Sequence, residues 1–278
     1  MSTPKMKSTT AICLNSAFFG FYAHAGFIKG ISELNFKPAF VSGCSAGAIV
    51  GAIYASGVNI DEMLAIIKDF KKKDFWEGNL LHHAIKPFRG GFKNYSGQLT
   101  GIKLRKFLHP FLGNKKIEDF PIRFGASVVN LTKRRREFIT KGDVIDAIVA
   151  SSAFPLLFEV QKINGMDYTD GGLVDHEPTK ELILDKSIKT IICHSVHKEK
   201  EDSKYILGRA VSQGLSVIEN ETGHLKDLLA EKYKTKIHRI TTITPAVDPD
   251  KLHIGIGNIE LARENVHRNK KLFNVSSL

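Results

Sequence analysis

The sequence predicts an α/β fold in which a mostly parallel central sheet carries helices on both faces, giving three layers. Short apolar runs alternate along the chain with longer segments of helical periodicity, as in parallel strands joined by crossover helices. The 278 residues are 42% hydrophobic, which is enough to bury a large core. No internal repeat or linker divides the chain, so we expect a single domain over residues 1–278.

The first half of the chain predicts a regular succession of elements. Strands are expected at 10–15 (TAICLN) and 38–42 (PAFVS), and helices at 22–34 and 46–57, the second ended by Gly57. Asn59, with Glu62 three residues later, forms a capping-box pattern at the start of another helix. Residues 71–97 mix aromatic residues, Lys and Gly without a clear period, which predicts an irregular insertion or lid.

The second half continues this alternation. A helix that extends to Pro110 is predicted within residues 101–112. Two strands are predicted at 123–132 and 136–140, and a helix that Pro155 ends is predicted at 143–154. Residues 158–172 predict a hairpin, because Asn164-Gly165 is a strong two-residue turn signal. The remaining residues predict a strand at 190–195, a long helix over 204–232, a strand at 236–241 and a final helix near 255–272.

The net charge narrows the classes of partner. Forty Lys and Arg against 29 Asp and Glu give +11, which favours encounter with anionic surfaces. The basic run 133–136 lies between two predicted strands, where a solvated turn is the usual structure; with the lysines at 71–73 and 115–116 it favours contact with an anionic membrane. Nucleic-acid binding is not expected, since no aromatic residues interleave with the basic ones on a suitable scaffold.

Cysteine content and hydropathy bear on the compartment. Cys13, Cys44 and Cys193 are odd in number and widely spaced, so the sequence predicts neither a disulfide framework nor a zinc site. No run approaches the roughly 18 apolar residues that a spanning helix needs. We therefore expect a cytoplasmic protein whose membrane contacts, if any, are peripheral, and we expect no metal and no cofactor.

One serine is surrounded by unusually small residues. In VSGCSAGAIVG (41–51), Ser45 has Gly43 and Gly47 two positions away on either side. In a nucleophile elbow such glycines prevent collisions across a sharp strand-to-helix turn, and the N-terminal amides of the following helix favour an oxyanion beside the serine. Taken alone, the pattern is equally typical of a glycine-rich turn without chemistry.

A second unusual stretch supplies a carboxylate. In YTDGG (168–172), Asp170 ends a strand pattern, and Gly171 and Gly172 permit a tight turn that could bring the carboxylate to another loop. Taken alone, an aspartate before glycine more often caps its own turn. The sequence also leaves open a Ser–His–Asp arrangement through His176 or His194.

Four stretches resemble the patatin-like phospholipases in order along the chain. They are HAGFIKGISEL (24–34), GCSAGAIVGAIYASG (43–57), AIVASSAFPLLFEV (147–160) and YTDGGLVDHEP (168–178). That family pairs a G-x-S-x-G serine with the aspartate of a D-G-G or D-G-A motif as a catalytic dyad. The resemblance implies a patatin fold and a serine carboxylic-ester hydrolase of the phospholipase A or lysophospholipase type. It assigns Ser45 as the nucleophile that forms an acyl-enzyme and Asp170 as the base.

The resemblance fails at the oxyanion segment. The family has a G-G-G-x-R segment after the first strand, whereas this chain has NSAFFG at 15–20. We expect the oxyanion and substrate-binding positions to be Asn15, Ser16, Ala17, Cys44 and Ala46. Losing one oxyanion donor costs on the order of 100-fold in rate. A weak or inactive lipid- or protein-binding member is therefore the alternative, and acyl transfer to an alcohol other than water also stays open.

Overall fold

The computed structural model describes residues 8–78, 95–199 and 206–273. The insertion predicted at 71–97 falls partly outside these ranges, because residues 79–94 are not among the described residues. Its flanks form a 3-10 turn at Lys72–Asp74 and the beginning of a short strand at Gly97.

Ten strands occur in the described residues, eight of them in one sheet. They are β1 (Thr10–Leu14), β2 (Phe40–Gly43), β3 (Gly97–Leu99), β4 (Arg123–Asn130), β5 (Arg135–Ile139), β6 (Leu156–Phe158), β7 (Gln161–Ile163), β8 (Met166–Asp170), β9 (Thr190–Lys198) and β10 (Lys236–Thr244). The order of the large sheet is β10-β9-β1-β2-β4-β8-β7, and β5 also pairs with β4. Strands β3 and β6 form a separate parallel pair.

The large sheet is parallel from β10 to β4 and antiparallel beyond it. Leu14 of β1 is level with Gly43 of β2 and with His194 of β9, so the carboxyl ends of these strands meet at one edge. Ligands of open α/β sheets bind at that edge. On the other side, β4 pairs in antiparallel fashion with β5 and β8, and β8 with β7.

Helices cover both faces of the sheet. They are α1 (Phe21–Glu33), α2 (Ala46–Ala55), α3 (Ile60–Asp69), α4 (Ile102–Leu112), α5 (Val144–Ser151), α6 (Lys180–Leu184), α7 (Ile206–Tyr233) and α8 (Gly255–Arg268). Because side chains alternate along a strand, Ile12 and Leu14 pack in the core with α1, α2 and α8, while Ala11 and Cys13 pack with α6 and α7. This arrangement confirms the predicted fold class.

Two local sequence signals have the expected effect in the structure. The Asn59 side chain caps α3 by accepting hydrogen bonds from the N–H groups of Asp61 and Glu62 at 2.8 and 3.3 Å, although among the described residues the Glu62 side chain does not complete a capping box. Asn164 and Gly165 both adopt positive φ, 50° and 76°, as a two-residue hairpin turn between β7 and β8 requires.

Helix α4 differs from the prediction, because it passes through Pro110 and ends at Leu112. A proline this close to the end of a helix removes one backbone hydrogen bond, while Phe111 and Leu112 gain buried positions in the core. Packing therefore extends the helix beyond the residue at which sequence predicts its end. The final helix ends at Arg268, and residues Lys270–Phe273 form a separate 3-10 turn.

Within the described residues, no helix is both long enough and apolar enough to cross a bilayer. The three cysteines are free thiols in buried positions.

Candidate active site

Ser45 lies on a strained turn between β2 and α2. Its φ and ψ are 52° and −118°, a conformation that costs a non-glycine residue free energy and that persists because its surroundings fix it. A Cβ atom on Gly43 would collide with the backbone of Gly47, and one on Gly47 would collide with the carbonyl of Leu14. The two glycines therefore permit the turn and its close approach to β1.

A chain of hydrogen bonds holds the serine backbone in place. The N–H of Ser45 donates to Ser151 Oγ at 3.0 Å, and that hydroxyl donates to the carbonyl of Ser127 at 2.7 Å. Ser151 ends α5, and Ser127 belongs to β4. The elbow is thus anchored to both of these elements, and no sequence motif indicated the part of Ser151.

Asp170 lies at the end of β8 and faces the same edge of the sheet. Its Oδ1 accepts a hydrogen bond from the N–H of Gly172 at 2.7 Å and lies 3.6 Å from Cys44 Sγ. A Cβ atom on Gly171 would collide with the carbonyl of Ser127. The turn after Asp170 therefore needs glycine in order to bring the carboxylate to the elbow.

Burial dominates the electrostatics of this carboxylate. Asp170 is 2% exposed, and desolvation raises its pKa to about 6, while the N–H of Gly172 and the side chains of Ser45 and Cys44 lower it. A carboxyl group with a pKa near 6 is largely ionised at neutral pH and is a stronger base than an ordinary aspartate. Burial likewise raises the pKa of the Cys44 thiol, and the charge of Asp170 adds to this effect.

Ser45 and Asp170 open into one cavity of about 890 Å³. Most of its lining is apolar and comes from the segment after β1, from α2, from the β6 region and from the residues after β10. Apolar lining residues include Phe18, Phe19, Phe21, Ile49, Phe70, Phe75, Leu104, Phe154, Leu156, Leu157, Phe158, Val196 and Val247. A cavity of this size and polarity fits an acyl chain next to the serine.

Three of the seven non-glycine residues with positive φ in the described chain line this cavity. They are Phe19, Ser45 and Leu156, with φ of 56°, 52° and 68°. Phe18 and Leu156 also line the cavity, and their large apolar side chains are 48% and 72% exposed. Strained conformations of this kind cluster at functional sites.

The five predicted oxyanion positions differ in whether their backbone N–H group is already hydrogen-bonded. The N–H groups of Asn15, Ser16 and Cys44 donate to the carbonyls of His194, His176 and Leu14, at 3.3, 2.8 and 3.2 Å. Ala46 is the first residue of α2, so its N–H has no intrahelical acceptor. Within the described chain the N–H of Ala17 also has no acceptor.

The side chain of Asn15 has a defined orientation. Its Oδ1 accepts a hydrogen bond from the N–H of Val196 at 3.0 Å. The side chain lines the cavity, and among the described residues its Nδ2 group has no acceptor. Of the three positions that replace the family's glycines, Asn15 therefore offers a side-chain donor and Ala17 a backbone donor.

His194 and His24 form a buried pair away from the serine. His24 Nε2 must donate to the carbonyl of Asn15 at 3.0 Å, so its Nδ1 accepts from His194 Nδ1 at 2.9 Å. His194 Nε2 then accepts from Thr242 Oγ1 at 2.9 Å. Both rings are neutral in this arrangement, and the pair links β10 to the segment that contains Asn15.

We expect both histidines to stay neutral at pH 5. Desolvation lowers the pKa of His24 to about 4 and that of His194 well below its usual 6.5. Protonating His24 at Nδ1 would oppose two donors at its 2.9 Å contact with His194, and protonating His194 at Nε2 would remove the acceptor of the Thr242 hydroxyl. Long-range ¹H–¹⁵N NMR spectra should show His24 with its proton on Nε2 and His194 with its proton on Nδ1. Titration of either ring between pH 6 and 7 would contradict this.

The lowered pKa values of the two histidines also predict how their contribution to stability changes with pH. Between about pH 4 and 6.5 the unfolded state binds protons that the native histidines do not bind. Their contribution to the free energy of unfolding is therefore complete above pH 6.5 and decreases as the pH falls towards 4.

His176 lies in the cavity with Ser45 and Asp170. Its Nε2 is buried and, within the described chain, has no hydrogen-bond partner. Asp170 accepts no hydrogen bond from His176 or His194 among the described residues. The structure thus brings together a serine and an aspartate without an intervening histidine.

One residue of the basic run 133–136 faces inwards, so the prediction that the whole run lies in a solvated turn was wrong for this residue. Arg136 is 16% exposed and forms ion pairs with Asp175 and Glu181, and Lys226 of α7 binds the other oxygen of Asp175 at 2.8 Å. This network ties the segment after Asp170 to β5 and α7. Only the outer members of the run stay available to an anionic surface, and Lys133 and Arg135 also pair with Glu137.

In the described part of the chain, no three His, Cys, Asp or Glu side chains are grouped so that they could hold a metal ion.

Comparison with known proteins finds a family model that matches more than half of the chain. A family model described as patatin-like phospholipase matches residues 12–183, which include both Ser45 and Asp170. An uncharacterized NTE family protein of Mycobacterium tuberculosis is 27% identical over 168 residues, covering 60% of this chain and 44% of that protein. Lysophospholipase NTE1 of Candida albicans is 26% identical over 174 residues, covering 63% of this chain and 12% of that protein.

This chain therefore spans less than half the length of the curated relatives it matches. Among solved structures, VipD from Legionella pneumophila superimposes with a TM-score of 0.49 at 13% identity, covering 93% of this chain and 67% of that one. The family model covers more than half of the sequence and includes the elbow serine and the D-G-G aspartate. The chain belongs to the patatin-like phospholipase family.

Proposed function

We propose that this protein is a lipid acyl hydrolase of the phospholipase A or lysophospholipase type. The observation that carries the proposal is the meeting of a strained elbow serine, Ser45, with a buried aspartate of raised pKa, Asp170, inside one apolar cavity. The related fungal proteins named lysophospholipase support the same substrate class.

The proposed chemistry has two steps. Asp170 takes the hydroxyl proton of Ser45 as the serine oxygen attacks the ester carbonyl, and it then gives that proton to the departing alcohol. A water molecule next attacks the acyl-serine ester, Asp170 removes its proton, and the fatty acid leaves as Ser45 regains a hydrogen. The dyad requires no metal and no cofactor.

In this chain we assign the stabilisation of the oxyanion to donors other than the backbone N–H groups of a glycine-rich loop. The donors we propose are the N–H of Ala46 at the start of α2, the N–H of Ala17 and the side-chain Nδ2 of Asn15. Ser16 and Cys44 are not proposed as donors, because their N–H groups already donate to the carbonyls of His176 and Leu14. These hydrogen bonds instead hold the two segments in place.

A catalytically silent lipid-binding protein is the second candidate. The occupied N–H groups of Asn15 and Ser16 favour it, since the family's glycine segment supplies donors at these positions. In that case the apolar cavity would hold a lipid without cleaving it.

Labelling with a fluorophosphonate separates the two candidates, because this reagent reacts only with an activated serine. We expect a single adduct on the peptide that contains Ser45, together with release of fatty acid from mixed phospholipid vesicles. A chain that binds lipid but neither labels nor releases fatty acid would establish the silent candidate.

Three broader features belong to the same proposal. We infer that residues 1–278 form one domain, since β9 and β10 extend the sheet of β1 and α8 packs on α1. We also infer a cytoplasmic protein with peripheral contact to anionic membranes, in keeping with the net charge of +11. Nucleic acid is not a proposed partner.

A further inference from the structure

The mouth of the cavity carries one strong positive charge. Among the described lining residues, Lys198 is the only lysine or arginine. Its Nζ lies 5.2 Å from the centre of the Phe18 ring, a cation–π contact at the mouth, where Phe18 is 48% exposed. In the described chain no carboxylate lies within ion-pair distance of this ammonium group.

The register of the sheet places Lys198 further than Ser45 along the direction in which the parallel strands run. His194 of β9 and Gly43 of β2 are both level with Leu14 of β1. Ser45 follows Gly43 by two residues, whereas Lys198 follows His194 by four and lies about 13 Å beyond it along the strand direction. The serine is thus at the inner part of the cavity and the lysine at its outer part.

The surroundings of Lys198 favour an added anion. Desolvation lowers the pKa of its ammonium group, and the charge of Asp248 raises it. Glu219 also lines the cavity, but no ion pair joins it to Lys198 in the described residues. Because the Lys198 side chain is exposed, its ammonium group can form a charge-assisted hydrogen bond to an anion bound at the outer part of the cavity.

We propose that Lys198 binds the phosphate of a phospholipid or lysophospholipid head group while the acyl ester lies at Ser45. This inference rests on the proposed hydrolase function and adds to it the residue that would bind the head group and so favour a phosphate-bearing lipid over a neutral acylglycerol. The apolar lining holds the acyl chain, and the lysine selects the head group.

The test measures binding to Ser45→Ala protein, in which the lipid stays intact. The probes are 1-octanoyl-lysophosphatidylcholine and 1-octanoylglycerol, which share an acyl chain and differ in the phosphate head group. In isothermal titration calorimetry, Lys198→Ala should raise the Kd of the phosphate lipid about tenfold relative to that of the neutral lipid. Lys198→Arg should retain the preference, since a guanidinium also binds phosphate.

Lys236→Ala is the matched control, because Lys236 is exposed at the opposite end of the sheet, where β10 begins. This variant should leave the ratio of the two Kd values unchanged. The inference is overturned if Lys198→Ala changes both Kd values equally or neither of them, or if the phosphate lipid does not bind. Absence of Ser45-dependent hydrolysis with the Kd ratio intact would instead refute the proposed reaction and leave head-group binding in place.

Discussion

Replacing Ser45 by alanine is expected to remove fluorophosphonate labelling and to lower fatty-acid release by about 10⁴-fold or more. The hydroxyl oxygen is the atom that forms the acyl-enzyme, and no other group in the variant can take its place. Alanine adopts the positive φ of the elbow with the same backbone strain as serine, so the fold should persist. Fatty-acid release measured by mass spectrometry checks the loss.

Ser42→Ala provides the matched control for this variant. Ser42 lies on β2, three residues before the elbow, and its buried Oγ has no hydrogen-bond partner in the described chain. This variant should label and hydrolyse as the wild type does, with a similar thermal midpoint. If Ser45→Ala retained the wild-type rate of release, the serine mechanism would be wrong.

Replacing Asp170 by asparagine is expected to lower hydrolysis by about 10³- to 10⁴-fold, because an amide cannot accept the hydroxyl proton. The asparagine oxygen can still accept the hydrogen bond from the N–H of Gly172, so the turn after β8 should keep its geometry. Steady-state kinetics on a soluble acyl ester measures the loss. Asp167→Asn, a change at a more exposed position of the same strand, should leave the rate unchanged.

The pH dependence identifies the same group. For the wild type, kcat/KM should rise with pH, pass its midpoint near 6 and then reach a plateau, since only ionised Asp170 accepts a proton. A midpoint near 4 would contradict the assignment of a buried base. Because Asp170→Asn lacks this group, its residual rate should not follow the same curve.

The contribution of Asp170 to stability should respond to pH in the opposite direction to activity. The native pKa of Asp170 is raised from 3.8 to about 6, so the native state binds more protons than the unfolded state in this window. Its contribution to the free energy of unfolding is complete below pH 3.8 and is lost as the pH rises through 6, by about 3 kcal/mol. At pH 8, Asp170→Asn should therefore unfold at a temperature no lower than the wild type.

Local signals in the sequence were sufficient for most of the fold. The alternation of apolar runs with helical periodicity located β1, α1, β2 and α2, and the Asn164-Gly165 turn located the hairpin of β7 and β8. These features depend on neighbouring residues alone, through side-chain periodicity, capping and positive φ. The three-residue strands β3 and β6 were missed, because a run so short has no measurable period.

The site was less predictable, because its details depend on contacts between distant segments. Sequence identified Ser45 and Asp170 as candidates, but the occupied N–H groups of Asn15 and Ser16 depend on carbonyls more than 150 residues away in the chain. The inward orientation of Arg136 depends in the same way on Asp175 and Glu181. Charge patterns do not reveal such partners, since a buried arginine and a solvated one have the same local sequence.

The position of β9 in the sheet has a consequence for truncated forms of this protein. The family match ends at residue 183, yet β9 follows that point and pairs with β1, whose other neighbour is β2. A shortened chain that stopped at the end of the match would leave one side of β1 without a partner. An uncovered row of N–H and C=O groups on an apolar strand is a template for intermolecular pairing. Recombinant fragments cut there are therefore expected to aggregate, whatever their catalytic residues.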